Sequence, residues 1–229
     1  LPLADEVFDA DGISVERLKA AGAIAAVQTT SSEFGATNQT TTKIHGATRN
    51  PWNLERTPGG SSGGSAAGVA GGLFALATAS DGGGSIRIPA GFCGLIGLKS
   101  TFGRIPRGPG SILGNATAVE GTVSRSTRDA ARYLDVTNGF DPRDPRGLPR
   151  VEGYEAGLGS CAGEIRSLRV AVVPDLSCAV VGPETEELIV AAAEELIARC
   201  GMQRVEIDLR LPKIMGVWGA TGGVGIRIS

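Results

Sequence analysis

The sequence predicts an α/β fold, with strands of the kind buried in a parallel or mixed sheet, on three observations. Short amphipathic helical stretches alternate with apolar runs from Ser14 onward. Those runs are nearly continuous rather than alternating, as in strands covered on both faces. Glycine and proline punctuation separates the two kinds of segment. At 229 residues the chain can bury a sizeable core and form one large domain or part of one.

Ser14 to Ala21 (SVERLKAA) is a short amphipathic helix with Ser14 as its cap and Gly22 at its end. Ala23 to Val27 (AIAAV) then reads as a buried apolar strand. From Thr29 to Ser62 the chain is rich in Thr, Asn, Gly and Pro, which predicts long ordered loops. Ser65 to Leu73 suits a tight helix, Phe74 to Thr78 a buried strand, Ile86 to Cys93 a short helix and Leu95 to Leu98 a short apolar segment. Ser126 to Asn138 is a capped helix, followed by a Pro/Asp/Arg-rich surface loop from Gly139 to Pro149. Leu168 to Val173 and Val205 to Asp208 are further strands. Between them lies the best-marked helix, Pro183 to Arg199, with proline in its first turn, acidic residues following, and Gly201 closing it. Gly216 to Ser229 offers no clear element, and the chain opens on Leu1 rather than Met, so both ends read as cut within a domain.

Composition narrows the function. Apolar residues at 41% and charged residues at 20% are ordinary for a globular protein. A net charge of −2 gives no electrostatic case for nucleic acid or anionic membrane as the main partner. No run is long enough to span a bilayer and no signal peptide is visible, which points to the cytoplasm. Cys93, Cys161, Cys178 and Cys200 lack CxxC spacing and read as reduced, buried thiols; with one histidine, His45, no metal site is expected. Glycine is the outlier, with 35 residues, about twice the usual ~7% share.

Much of that glycine sits in Thr57 to Thr101, which places Ser61 in GGSSGGS and Ser85 in DGGGSIR. Backbone N–H groups gathered around hydroxyls suit an oxyanion or a phosphate. The phosphate reading lacks the P-loop lysine and any GxGxxG, leaving only the N–H groups opening the Ser65 helix. The acyl-transfer reading needs an activated serine and preorganised donors. Gly82, Gly83 and Gly84 can turn successive amides into one concavity before Ser85. A Ser-His-Asp arrangement fails, because His45 lies in a loop and reads as a satisfied structural side chain, and GxSxG is absent around Ser85. The remaining solution is a lysine kept neutral by burial, with Ser61 relaying the proton.

At this point GGSSGGSAAG, ASDGGGSIRIPAGFCGLIGLKST and FGR resemble the amidase signature family of Ser–cis-Ser–Lys amide hydrolases. VERLKAAGAI, EFG, GATRNPWNLERTPGG and TRDAARYLDV with DPRDP agree. The resemblance runs from about Gly12 to Pro145 and implies that residues 1–229 form part of the family's α/β/α domain. It makes Ser85 the nucleophile, Ser61 the cis-serine after Gly60, and Gly82, Gly83 and Gly84, with Ser85, the oxyanion donors. Asp81 and Arg87 either brace this loop or are surface charges, and Ser62 and Ser65 are turn and cap residues. The family's lysine lies upstream of the cis-serine, and Lys19, Lys43 and Lys99 do not match it, so the chain alone is expected to lack useful turnover.

Gly82, Thr122 and Thr30 stand where the family usually has Thr, Pro and Asn. The resemblance implies hydrolysis of a small-molecule amide through an acyl-Ser85 intermediate, without metal or organic cofactor, nucleic acid or membrane, and with room for a homodimer. Substrate-binding residues are unassigned. The alternatives are the A subunits of glutamyl-tRNA amidotransferases, against which GATNQTTTKIHG after Phe34 is expected to count, and a non-catalytic truncated homologue.

Overall fold

The computed structural model describes residues 7, 9–108 and 117–211. The chain divides into two units, 1–156 and 157–229. In the first unit the order is α1 (Ile13–Ala20), a 3₁₀ turn (Glu33–Gly35), a two-residue ladder β1 (Thr41–Thr42) and β2 (Gly46–Ala47), α2 (Gly63–Ala70), β3 (Leu76–Asp81), α3 (Arg87–Cys93), β4 (Ile96–Lys99), β5 (Val119–Ser124) and α4 (Thr127–Thr137). The second unit has α5 (Ala162–Arg166), β6 (Arg169–Val170), α6 (Pro183–Cys200) and β7 (Gln203–Arg204).

The first unit is organised by an antiparallel sheet of order β3–β5–β4, with Leu76 opposite Ser124 and Ile96 also opposite Ser124. The central strand, β5, is absent from the sequence prediction. It carries EGT rather than an apolar run, yet five of its six residues are buried. Gly121 is required there: a Cβ would lie 2.0 Å from the Leu98 carbonyl oxygen. Val69 of α2, Ile86, Ala90 of α3 and Val123 of β5 form the core, with Phe74, Ala77, Ala79 and Leu95 packed against it.

Local signals explain the ends of the elements. After α2, Gly72 takes φ +76° while Leu73 N–H bonds Gly68 C=O and Gly72 N–H bonds Val69 C=O. This Schellman closure delays β3 to Leu76, two residues beyond the expected start. Ser126 accepts a hydrogen bond from Asp129 N–H at 3.1 Å and caps α4. Gly201, left-handed at φ +66°, closes α6. In the second unit β6 and β7 pair in parallel, with α6 between them in sequence. They are shorter than the expected strands, and residues 205–211 carry no regular element. The expected irregular 216–229 lies outside the described residues.

Residues 23–27 correct the predicted buried strand. They are irregular, with Ile24 90% exposed and Val27 62% exposed. Among the described residues, the backbone of 24–29 makes no hydrogen bond, because no strand lies beside it. The segment instead walls a cavity of about 480 Å³ with Val15, Leu18, Phe74 and Leu76. A second cavity, about 310 Å³, continues from it along Thr29–Ser31 and Thr78–Ser80. The cysteine expectation is corrected as well. All four thiols are free, but only Cys93 is buried, and Cys161 and Cys178 are exposed. Burial pushes the Cys93 thiol up to about 11. No helix among the described residues is long and apolar enough to cross a membrane.

Candidate active site

Ser61 and Ser85 lie 24 residues apart in sequence, and the fold brings their turns together. Ser62 N–H donates to Ser85 C=O at 3.3 Å, and both predicted serines are nearly buried, at 5% and 9% exposure. The peptide bond joining Gly60 to Ser61 is cis. The close approach of the chain at Ser61 explains its glycine-rich surroundings. A Cβ on Gly60 would meet Gln39 N at 2.7 Å and Thr37 O at 2.8 Å, and one on Gly63 would meet Thr40 Oγ1 at 2.2 Å. Ser32 N–H donates to Ser61 C=O at 3.1 Å. Gly35 stands against the Ser61 hydroxyl, 3.8 Å from the position its Cβ would take.

The second turn is built on Asp81, the fully buried last residue of β3. Its carboxylate accepts from the backbone N–H of Gly84 at 2.7 Å, Ile86 at 3.2 Å and Arg87 at 3.4 Å. Arg87 adds a two-pronged ion pair, Nε to Oδ2 at 2.9 Å and an NH2 nitrogen to Oδ1 at 3.0 Å. Of the two sequence readings for this pair, the bracing one holds. Burial alone would raise the Asp81 carboxyl, but the bonds from Arg87, Gly84 and Ile86 outweigh it and hold its pKa below the ordinary value.

This bracing redistributes the predicted oxyanion donors. Gly84, at φ +110°, already gives its N–H to Asp81. The N–H groups of Gly82, Gly83 and Ser85 have no acceptor among the described residues. Gly82 C=O takes the Thr117 hydroxyl at 2.8 Å, which orients the peptide that leads into Gly83.

Other predicted residues fall outside the site. His45 is exposed rather than packed. Lys19 pairs with Asp11 at 2.6 Å, Lys99 reaches the Ser100 carbonyl, and neither bonds Ser61. Ser65 is inside α2 rather than capping it, with its hydroxyl on Thr78 C=O at 3.0 Å. Ser62 precedes α2, but its hydroxyl bonds Ser80 of β3. No group of three or more metal-ligating side chains occurs among the described residues. Sequence reasoning missed Ser32 and Thr40 around Ser61, since they reach it through tertiary hydrogen bonds rather than a motif. It also missed Glu120, which lines the smaller cavity beside Ser62 and Ser80. Ser14 donates to Glu120 at 2.6 Å, and burial raises this carboxyl's pKa.

The fold is that of amidase-signature enzymes. The chain matches the Amidase family over residues 2–217. It belongs to the amidase family. The A subunit of the glutamyl-tRNA(Gln) amidotransferase of Pseudomonas fluorescens is 41% identical over 187 residues, covering 81% of this chain and 38% of that protein. The corresponding A subunit of a Synechococcus species is 42% identical over 194 residues, covering 84% and 39%. The chain thus spans about two fifths of the length of these curated relatives. Among solved structures, a bacterial aryl acylamidase of the amidase signature family superposes with TM-score 0.87 at 29% identity, over 97% of this chain and 46% of that one. The amidotransferase A subunit of Thermotoga maritima gives TM-score 0.77 at 30% identity, over 96% and 47%.

These relatives correct the expected partners. A small-molecule amide alone, without nucleic acid and with at most a homodimer, does not describe proteins named as one subunit of an enzyme for glutamyl-tRNA(Gln). The overall identity to these subunits outweighs the expectation that GATNQTTTKIHG counts against them.

Proposed function

We propose that this chain is the serine-bearing part of an amidotransferase A subunit, which releases ammonia from a carboxamide for use on glutamyl-tRNA. The carrying observation is the 41–42% identity to two such subunits across four fifths of the chain. Ser85 is the nucleophile and Ser61 passes its proton to the base. Attack forms an Oγ–C bond, and the developing oxyanion faces the N–H groups of Gly82, Gly83 and Ser85. Collapse expels the amine nitrogen with the relayed proton as ammonia, leaving acyl-Ser85 for water to cleave. The groove between residues 23–31 and the open edge of β3 suits an extended segment bearing the base. Its apolar lining gives way to Ser62, Ser80 and Glu120 at the end nearest the serines, where the neutral amine of a base has polar partners. A tRNA-dependent reaction is compatible with the expected cytoplasmic location.

The test is ammonia release from glutamine by the full-length protein, with and without its co-purified partners and glutamyl-tRNA. Release stimulated by the tRNA and reduced at least about 10³-fold by Ser85→Ala is the expected result. A protein that purifies alone and cleaves aryl amides but not glutamine would replace this reading with a free-standing amidase. A smaller loss, about 10²-fold or more, is expected for Ser61→Ala.

A further inference from the structure

We infer that Thr40 is a positioning residue for Ser61: its buried hydroxyl clamps the turn that presents the relay serine to Ser85. The inference rests on the relay reading given above. Thr40 is 1% exposed, and its backbone carbonyl is fixed by Thr48 N–H at 2.9 Å. From that anchored position Oγ1 reaches Gly59 C=O at 2.9 Å and Ser61 C=O at 3.2 Å, and accepts from Gly63 N–H at 3.1 Å. One hydroxyl therefore meets the backbone on both sides of Ser61 and on Ser61 itself. Its single proton is shared between the two carbonyls, while a lone pair satisfies the Gly63 N–H.

The contact is not general core packing. Thr40 Oγ1 occupies the space a side chain at position 63 would need, so Gly63 and Thr40 fit only together. Ser61 C=O has two donors, the Thr40 hydroxyl and Ser32 N–H. Removing the first leaves the turn held from one side. A displacement of about 1 Å in a relay group can cost ~10²-fold in rate. A valine at position 40 keeps the shape and both methyl-sized branches but leaves Gly63 N–H unsatisfied, whereas serine keeps every hydrogen bond.

The experiment compares Thr40→Val, Thr40→Ser and Ser61→Ala in the full-length protein. It measures the rate at which a fluorophosphonate labels Ser85, together with kcat, KM and the melting temperature. Thr40→Val is expected to slow labelling and kcat by about 10- to 100-fold with KM within about twofold, and Thr40→Ser to stay within about threefold of the parent. In the Ser61→Ala background, Thr40→Val should cause no further loss, because the two act as one unit. Equal losses in both backgrounds, or no loss from Thr40→Val, would overturn the clamp while leaving the relay intact. If Ser61→Ala labels as fast as the parent, the relay reading falls and the clamp with it. Should the valine variant not fold, Thr40→Ala takes its place in the same cycle, and loss by serine as well as alanine would also overturn the assignment.

Discussion

At Asp81 a single carboxylate gathers three backbone N–H groups and one guanidinium. Arg87 is 55% exposed at its side chain, so the ion pair itself contributes little to stability. The larger role is geometric: the carboxylate fixes the turn that carries Gly84, Ser85 and Ile86. Asn at this position would present an NH2 group to donors, leaving a buried N–H unsatisfied at a cost of about 1–3 kcal/mol. Asp81→Asn is therefore expected to lower kcat about 10²-fold while the melting temperature falls by only several degrees. Steady-state kinetics and a thermal melt on the same preparation check both halves; an unchanged kcat would remove Asp81 from the positioning machinery.

Among the elements, legibility followed the type of signal. α4 and α6 were readable within a residue or two because serine, proline and glycine mark helix ends by local chemistry. The two serine turns were readable because their glycines record close backbone approach. β5 was not, because EGT carries no apolar run and its burial comes from being flanked by β3 and β4. The apolar 23–27 run misled in the opposite sense, since a strand also needs a neighbour to bond. Thr40 was hidden in a Thr-rich loop whose three-dimensional partners leave no spacing rule in sequence. The same closeness makes β5 sensitive. Gly121→Ala would push a methyl against the Leu98 carbonyl oxygen, and we expect it to destabilise the fold by about 1–3 kcal/mol or more. The denaturant midpoint would drop accordingly; an unchanged midpoint would mean the β4–β5 pair yields freely.

For the molecule as a whole, acid is the expected weakness. Asp141 is held at about 2, chiefly by Arg143. Asp144 is lowered despite its burial, by Arg107 N–H and by Arg146. Asp81 is lowered as described. A carboxyl whose folded pKa lies below its unfolded one stabilises the fold above the unfolded value, near 3.8, and loses that contribution as pH falls through the folded value. Glu120 has the opposite sign, since burial raises it and its ionised form works against folding. With these three aspartates and Glu16, which Arg143 also lowers, set against Glu120, the urea midpoint should be flat from about pH 5 to 7 and fall below about pH 4. A midpoint that rises on acidification would show that Glu120 outweighs them.

The open edge of β3 also bears on how this polypeptide behaves in solution. On β3 the Ser65 and Ser62 hydroxyls already engage the Thr78 carbonyl and the Ser80 backbone, but the other wall of the trough, residues 24–29, makes no backbone hydrogen bond among the described residues. That rail invites an extended chain to lie along it. Handled as this stretch alone, the polypeptide carries its own seed for self-association, and colloidal behaviour rather than fold strength will limit the concentrations it tolerates.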